Sequence, residues 1–321
     1  MKIPEKKAHL APMAQITDVA FREWCVSYGA GLTTTELVSV LGILHKQEKT
    51  FSLMKKSSKE KYFCIQLFGS QPKDFAQASS IIDTDCTCID INAGCPVTKV
   101  FSNGAGSALL KEPKKIGKII KAISNVSNIP ISVKMRLGLD EEHINVLETA
   151  KICEDNGANH ITIHGRTKAQ GYGGFANWDH IKNVAREITI PVIGNGDITS
   201  AQKVLEAKEN YGVHSVAIGR GASGNPFIFR EAKEILCKSR NDKEISYEEK
   251  IKAFRTYMSL AKKYSSHFTH QVLQAQHITK GVIGSSEFRG ELYKIKNLDE
   301  LLTAVETFFM NASKKEDQGK L

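Results

Sequence analysis

The chain has 321 residues, 41% apolar and 25% charged, so it can bury a sizeable core as one large domain or as a large one plus a small one. It holds no apolar run of about 18 residues, and its start, MKIPEKKAHLAP, has no secretory apolar stretch. No transmembrane span or export signal is expected, and the protein is expected to be cytoplasmic. The net charge of +9 favours a polyanionic partner such as nucleic acid, with a solvated basic surface as the plainer alternative.

Short β-rich runs recur along the first two thirds of the chain: HLAPM (9–13), LTTTEL (32–37), YFCIQLF (62–68), CIDIN (88–92), ISVKMR (131–136), HITIHG (160–165), IPVIGNG (190–196) and HSVAIGRG (214–221). Helical patterns separate them. Phe21, Trp24, Cys25 and Tyr28 share one face of a helix that stops at Gly29. Ile116, Ile119, Ile120 and Ile123 form a second stripe, and Trp178, Ile181, Val184, Ala185 and Ile188 a third. Thr199 and Gln202 read as a capping box for a helix towards Tyr211.

Eight strands alternating with helices predict a (β/α)8 TIM barrel rather than a doubly wound open sheet. The strand ends recur at intervals that fit one βα unit, except for a longer step between Asn92 and Arg136. That step holds GCPVTKVFSNGAGSALL, and an oversized loop at the C-terminal face of a barrel is expected to be functional.

After Phe229 the strand signal ends. KSRNDKEIS (238–246) reads as a linker. Ser246 and Glu249 predict a capped helix over Tyr247–Tyr264. A second is expected over His270–Lys280, and a third from Asn297 through LDELLTAVETFFM, with a frayed KKEDQGKL tail. The expected division is a barrel domain over 1–237 and a small all-helical C-terminal domain over 245–314.

The seven cysteines are scattered and odd in number, which argues against a disulfide framework. Cys86 and Cys88 are too close for a CxxC pair, and no metal site is expected. A site at the barrel mouth would gather Pro12–Ala14, Gln66, Asn92, Cys95, Lys134, His164, Asn195–Asp197 and Gly219–Arg220. The turns GNGD and GRGASG follow strands seven and eight, where glycine lets backbone N–H groups approach a phosphate; they also suit plain turns. GRGASG matches GxGxxG, but Asn225–Pro226 follow it and no further strand completes a βαβ unit, so a Rossmann site is rejected. Lys134 at a strand end should meet an anion or a polarised carbonyl. A flavin edge, a Schiff base or a snorkelling or ion-paired lysine all satisfy it, the flavin best beside a phosphate site. Cys95 sits between a permissive Gly94 and a rigid Pro96, as a nucleophile, an acid or a buried turn cysteine.

These motifs together resemble the tRNA-dihydrouridine synthases of bacterial type. The resemblance runs through LAPM, TDVAFR, TTTELVS, QLFG, DINAGCPVTKV, GAGSALL, VKMRLG, HGRT, GNGDI and IGRGASGNPFIF, and continues at SSEFRGEL (285–292). Phe227 stands where a tryptophan is common in the family. The resemblance implies an FMN-bound barrel, a helical tRNA-binding domain, and reduction of uridines in tRNA with NADPH or NADH as the transient reductant. Pro12, Met13, Ala14, Gln66, Lys134 and His164 would hold the flavin ring and ribityl chain. Asn195, Gly196, Asp197, Gly219 and Arg220 would hold the ribityl and phosphate. Cys95 matches the family's catalytic acid, Asn92 would contact the uracil, and Lys99 and Arg166 are candidates for substrate or RNA contacts. Because C5=C6 of uracil is conjugated with the C4 carbonyl, hydride should add at C6 and the proton at C5. Lys55, Lys56, Lys59, Lys61, Lys262, Lys263, Lys294 and Lys296 are candidates for the RNA surface. A monomer is expected. The competing reading is a flavoenzyme of free pyrimidines, similar to dihydroorotate dehydrogenase, which leaves the helical domain and the charge unexplained.

Overall fold

The computed structural model describes residues 2–82, 85–239 and 244–319. Nine strands form its sheet: β1 (His9–Leu10), β2 (Thr33–Thr34), β3 (Val38–Ser39), β4 (Phe63–Phe68), β5 (Cys88–Ala93), β6 (Ile131–Arg136), β7 (His160–His164), β8 (Val192–Asn195) and β9 (Ser215–Ile218). All pair in parallel, in the order β1-β9-β8-β7-β6-β5-β4-β2, with β3 also on β4. Gly31 N–H donates to Ala8 O and Leu10 N–H to Leu32 O, both at 2.8 Å, which closes β1 onto the start of β2. The result is a TIM barrel.

β2 and β3 together occupy one barrel position, so the single strand expected over 32–37 is broken. The break is at Thr35, whose hydroxyl accepts from Gln66 N–H at 3.0 Å in place of a backbone carbonyl and donates to Glu36 O. The chain swings out there before rejoining β4 as Val38–Ser39.

The central strands are buried on both sides, which is why they read as continuous apolar runs. The stripe Ile116, Ile119, Ile120 and Ile123 of helix Pro113–Ser124 is fully buried against them, as expected. The helix Ala201–Tyr211 is capped by Ser200, whose hydroxyl accepts from Lys203 N–H, one residue beyond the expected Thr199. Either hydroxyl can cap a helix, but only Thr199 has a glutamine three residues on, so the capping box pointed to the wrong one.

Helix Tyr247–Lys263 carries the expected capping box, with Ser246 and Glu249 bonded reciprocally. Helices Phe268–Ile278 and Leu298–Gly319 follow the expected pair. The last one continues through most of the tail expected to fray. Helix Ser285–Glu291 was not anticipated. Residues 240–243, the centre of the expected linker, lie outside the described residues. The helical region docks on barrel helix Val19–Ser27, where Trp24 meets Tyr257 with ring centroids 4.9 Å apart. One hydrophobic core runs through both. No helix among the described residues is long and apolar enough to cross a membrane.

Candidate active site

The C-terminal ends of the strands open into one cavity of about 1210 Å³. Pro12, Met13, Ala14, Gln66, Asn92, Cys95, Lys134, His164, Asn195, Gly196, Asp197, Gly219 and Arg220 all line it. Parallel register explains the gathering: Asn92 lies beside Lys134, Arg136 beside His164, and His164 beside Asn195.

On one wall stands Cys95. Its N–H and that of Gly94 donate to Asn92 Oδ1, at 2.9 and 3.2 Å. Its carbonyl accepts from the Ser107 hydroxyl at 2.8 Å. Arg136 clamps Gly94 O at 2.8 Å from β6. The long loop after β5 thus returns to hold the turn from which it departs. Burial pushes the Cys95 thiol up, against the pull of the Val97 N–H and the Arg136 and Lys134 charges, so it stays protonated at neutral pH.

Lys134 lies on the floor. Its one hydrogen bond among the described residues is to Asn195 Oδ1, at a long 3.3 Å. Burial and the Arg136 charge lower its ammonium to about 8. His164 is lowered to about 2, by burial first and then by Lys134, Arg136, Arg166 and Arg220, so its imidazole is neutral. Arg166 lies 3.4 Å from His164 Nε2, and a guanidinium can only donate. Nε2 therefore accepts and Nδ1 carries the proton.

The opposite wall is the glycine-rich turn after β9. A Cβ on Gly221 would sit 2.3 Å from Ile198 O, so no side chain fits. Gly224 is left-handed at φ +63° and its N–H donates to Gln274 Oε1 of helix Phe268–Ile278 at 2.7 Å. The helical region thereby shapes this turn. The Ser223 hydroxyl on the cavity wall is buried without a hydrogen-bond partner. Arg220 stacks over the Tyr172 ring at 4.7 Å.

Two expected residues are off the wall. Lys99 is exposed on the short helix Thr98–Ser102. Arg166, expected at substrate or RNA, is instead buried behind the wall. It donates to Gly173 O, Gly174 O and both Asp197 carboxylate oxygens, the last at 2.8 and 2.9 Å. Asp197 is thereby held in a left-handed conformation at φ +55° with its carboxylate turned away to Arg166 and Ala176 N–H. Burial alone would raise that carboxyl, but these bonds and the Arg166 charge keep it below the usual range. Among the lysines expected at RNA, Lys59 and Lys263 lie 3.6 and 3.4 Å from Glu23 where the helical region meets the barrel.

Sequence reasoning missed Asp90, Arg136, Tyr172 and Ser223. The first two are two residues from Asn92 and Lys134, so strand alternation alone puts them on the same face. Nothing in the sequence marks Tyr172.

The family model for dihydrouridine synthase (Dus) matches residues 9–313. The tRNA-dihydrouridine synthase B of Vibrio vulnificus is 35% identical over 313 residues, covering 96% of this chain and 97% of its own. That of Vibrio cholerae is 34% identical over 308 residues, covering 95% and 96%. Among solved structures, histamine dehydrogenase from Rhizobium sp. 4-9 matches with a TM-score of 0.55 at 12% identity, over 79% of this chain and 49% of its own, which is a likeness of fold. With the match running from the first barrel strand into the last helix, the chain belongs to the dihydrouridine synthase family.

Proposed function

We propose that the protein reduces uridines in tRNA to 5,6-dihydrouridine, with FMN at the barrel mouth and NADPH or NADH as electron source. The observation that carries this reading is the meeting of a protonated thiol, an unmatched ammonium and a glycine-walled turn around one cavity, in a chain of this family.

The donor set fits FMN. An anionic ring edge would supply the partner that Lys134 lacks, and a phosphate would accept from the orphaned Ser223 hydroxyl and from backbone N–H groups of the turn. Pro12–Ala14, Gln66, Lys134 and His164 would hold the ring and ribityl side. Asn195–Asp197, Gly219 and Arg220 would hold the ribityl and phosphate, Asp197 through its backbone. Bound and reduced, FMN would supply the hydride for C6 of the uracil.

The protein's own residues do the rest. Cys95 donates the proton to C5, and its raised pKa keeps that proton available until electron density builds on the base. The neutral His164 Nδ1–H is a donor suited to a carbonyl. Asn92 contacts the uracil through its remaining amide N–H. The target base must leave the tRNA stack at a cost of a few kcal/mol, which phosphate contacts by basic residues offset. Lys99, exposed beside the Cys95 turn, suits such a contact. The helical domain (245–314) would carry tRNA recognition and the barrel (1–237) the chemistry, in a monomer that works in the cytoplasm.

The test is dihydrouridine formation on unmodified tRNA with added FMN and NADPH, by wild type and Cys95→Ala. Loss of about 10²-fold or more is expected for the variant. Equal rates would remove Cys95 from the mechanism. Turnover of free uridine or dihydroorotate at the tRNA rate would replace this reading by the free-pyrimidine one.

A further inference from the structure

Beneath the mouth lies a carboxyl group that does not line the cavity but bonds to Gln66 on its wall. Asp90 is 5% exposed and sits on β5 in register with Gln66 of β4 and Ser132 of β6. A single chain of hydrogen bonds leads from it to the catalytic turn, and the chemistry of the donors fixes its direction.

Backbone N–H groups only donate, so Asn92 must turn its oxygen to Gly94 and Cys95. Its nitrogen is then left to donate to Gln66 Oε1, at 2.9 Å. The Gln66 nitrogen in turn donates to Asp90 Oδ2, at 2.7 Å. Asp90 Oδ2 must accept there, and Oδ1 lies 2.6 Å from the Ser132 hydroxyl. Burial raises the Asp90 carboxyl, against the Gln66 and Ser132 bonds and the Lys134 charge. Cys88 Sγ approaches Ser132 Oγ at 3.2 Å and extends the same polarity inward. An amide can flip, and each flip in this chain would turn a donor on a donor. The backbone N–H groups hold one end of the chain and the acceptor at Asp90 holds the other.

We infer that Asp90 is a positioning residue for the family reaction, acting through Gln66 and Asn92 to lock the turn that presents Cys95. Remove the carboxylate and the buried Gln66 amide N–H is left without an acceptor, so Gln66 shifts. Asn92 then loses the partner that braces it beneath the Gly94 and Cys95 N–H groups. The turn loosens and the thiol gains water. Burial is what keeps that thiol protonated, so loosening raises its reactivity as a nucleophile while spoiling its aim as an acid.

The experiment reads thiol reactivity in the FMN-loaded protein without turnover. Cys95 is alkylated with iodoacetamide at neutral pH and quantified by peptide mass spectrometry, with the exposed Cys237 as internal control. Asp90→Leu and Gln66→Leu are each expected to speed Cys95 alkylation about fivefold or more, leaving Cys237 unchanged. Because the two residues act in series, the double variant should be no faster than either single one. A general loss of packing would instead multiply the two effects, and would overturn the proposal. So would an Asp90→Leu rate within about twofold of wild type. Should Asp90→Leu fail to fold, Asp90→Asn takes its place with an expected rise of about twofold, since its amide orients only one of the two donors. An unchanged rate there overturns the proposal equally. The inference rests on Cys95 as proton donor, but the assay does not. A fully active Cys95→Ala enzyme would defeat that reading and leave the coupling measurement standing.

Discussion

The barrel mouth and the seam between the barrel and the helical region both hold charge away from water, and they treat it in opposite ways. On the barrel side of the seam, Arg22 and Glu60 meet at 2.8 Å with side chains 1% and 0% exposed. Arg22 also donates to Thr17 O and Lys55 O. Glu60 also accepts from the Thr33 hydroxyl and from Ser57 N–H. Glu23 next door accepts from Ser57 and Tyr264. Two neutral groups, Trp24 Nε1 and the Tyr257 hydroxyl, lack partners, but each of these charges is met. In the mouth, Lys134 has one long bond to a neutral amide. A fold satisfies its charges where they hold two parts together, and leaves them wanting where something else is to bind.

The matched pair on the barrel side of the seam should therefore break most sharply. Every group facing Glu60 is a donor, so Glu60→Gln puts an amide N–H against another N–H and leaves the Arg22 charge unpaired. The expected loss is about 3–5 kcal/mol of stability, read from denaturant unfolding. Dihydrouridine formation at low temperature by the folded fraction should stay near wild type. A loss below about 1 kcal/mol would mean that this pair does not hold the barrel wall behind the seam.

Lys134→Met should do the reverse. Without ligand, the variant is expected to be more stable by about 1–2 kcal/mol, the cost of holding an ammonium largely off water at a wall that still opens on the cavity. The sign follows from linkage. A lysine lowered to about 8 penalises the folded state fully below that pH, and the penalty disappears as pH rises through 8 towards its ordinary 10.5. The gain should thus be present at neutral pH and fade in strong alkali. FMN affinity should fall about 10- to 100-fold, measured by flavin fluorescence. A variant that binds FMN normally would dismiss the lysine as a cofactor ligand.

The same contrast explains what the sequence could disclose. The barrel was legible because strands buried on both sides leave continuous apolar runs at regular spacing. Cys95 and Lys134 were legible because a thiol or an ammonium at a strand end is conspicuous. The burial of Arg166 was not legible, because a position after a strand does not say which way a long side chain turns, and Gly173, Gly174 and Asp197 draw it behind the wall. Helix Ser285–Glu291 begins at a left-handed Gly284 and is too short for an apolar stripe. The seam was invisible: Glu23 and Tyr264 are brought together only by the tertiary fold.

The weakest seam contact tests whether its charges are truly matched. His270 lies 3.1 Å from Asp18, which caps helix Val19–Ser27. The hydrogen bond to Asp18 raises the imidazole above 6.5 against its burial, with help from the Asp18 and Glu36 charges. Burial would raise the Asp18 carboxyl, but the bonds from His270 and Phe21 N–H help to outweigh it and hold it below 3.8. The raised histidine contributes stability that is full below 6.5 and lost as pH rises through its folded pKa. The lowered carboxyl contributes stability that is full above 3.8 and lost as pH falls through its own. Both contributions are whole between those values. His270→Gln should therefore cost about 1 kcal/mol near pH 5.5, and progressively less above neutrality. Glu36 titrates in both proteins, so subtracting one unfolding profile from the other removes most of its direct effect. If the difference stayed flat from acid to alkali, the imidazole would have the same pKa folded and unfolded, and Asp18 would not favour its charged form. The seam would then resemble the mouth at this one point, with a charge whose partner contributes nothing.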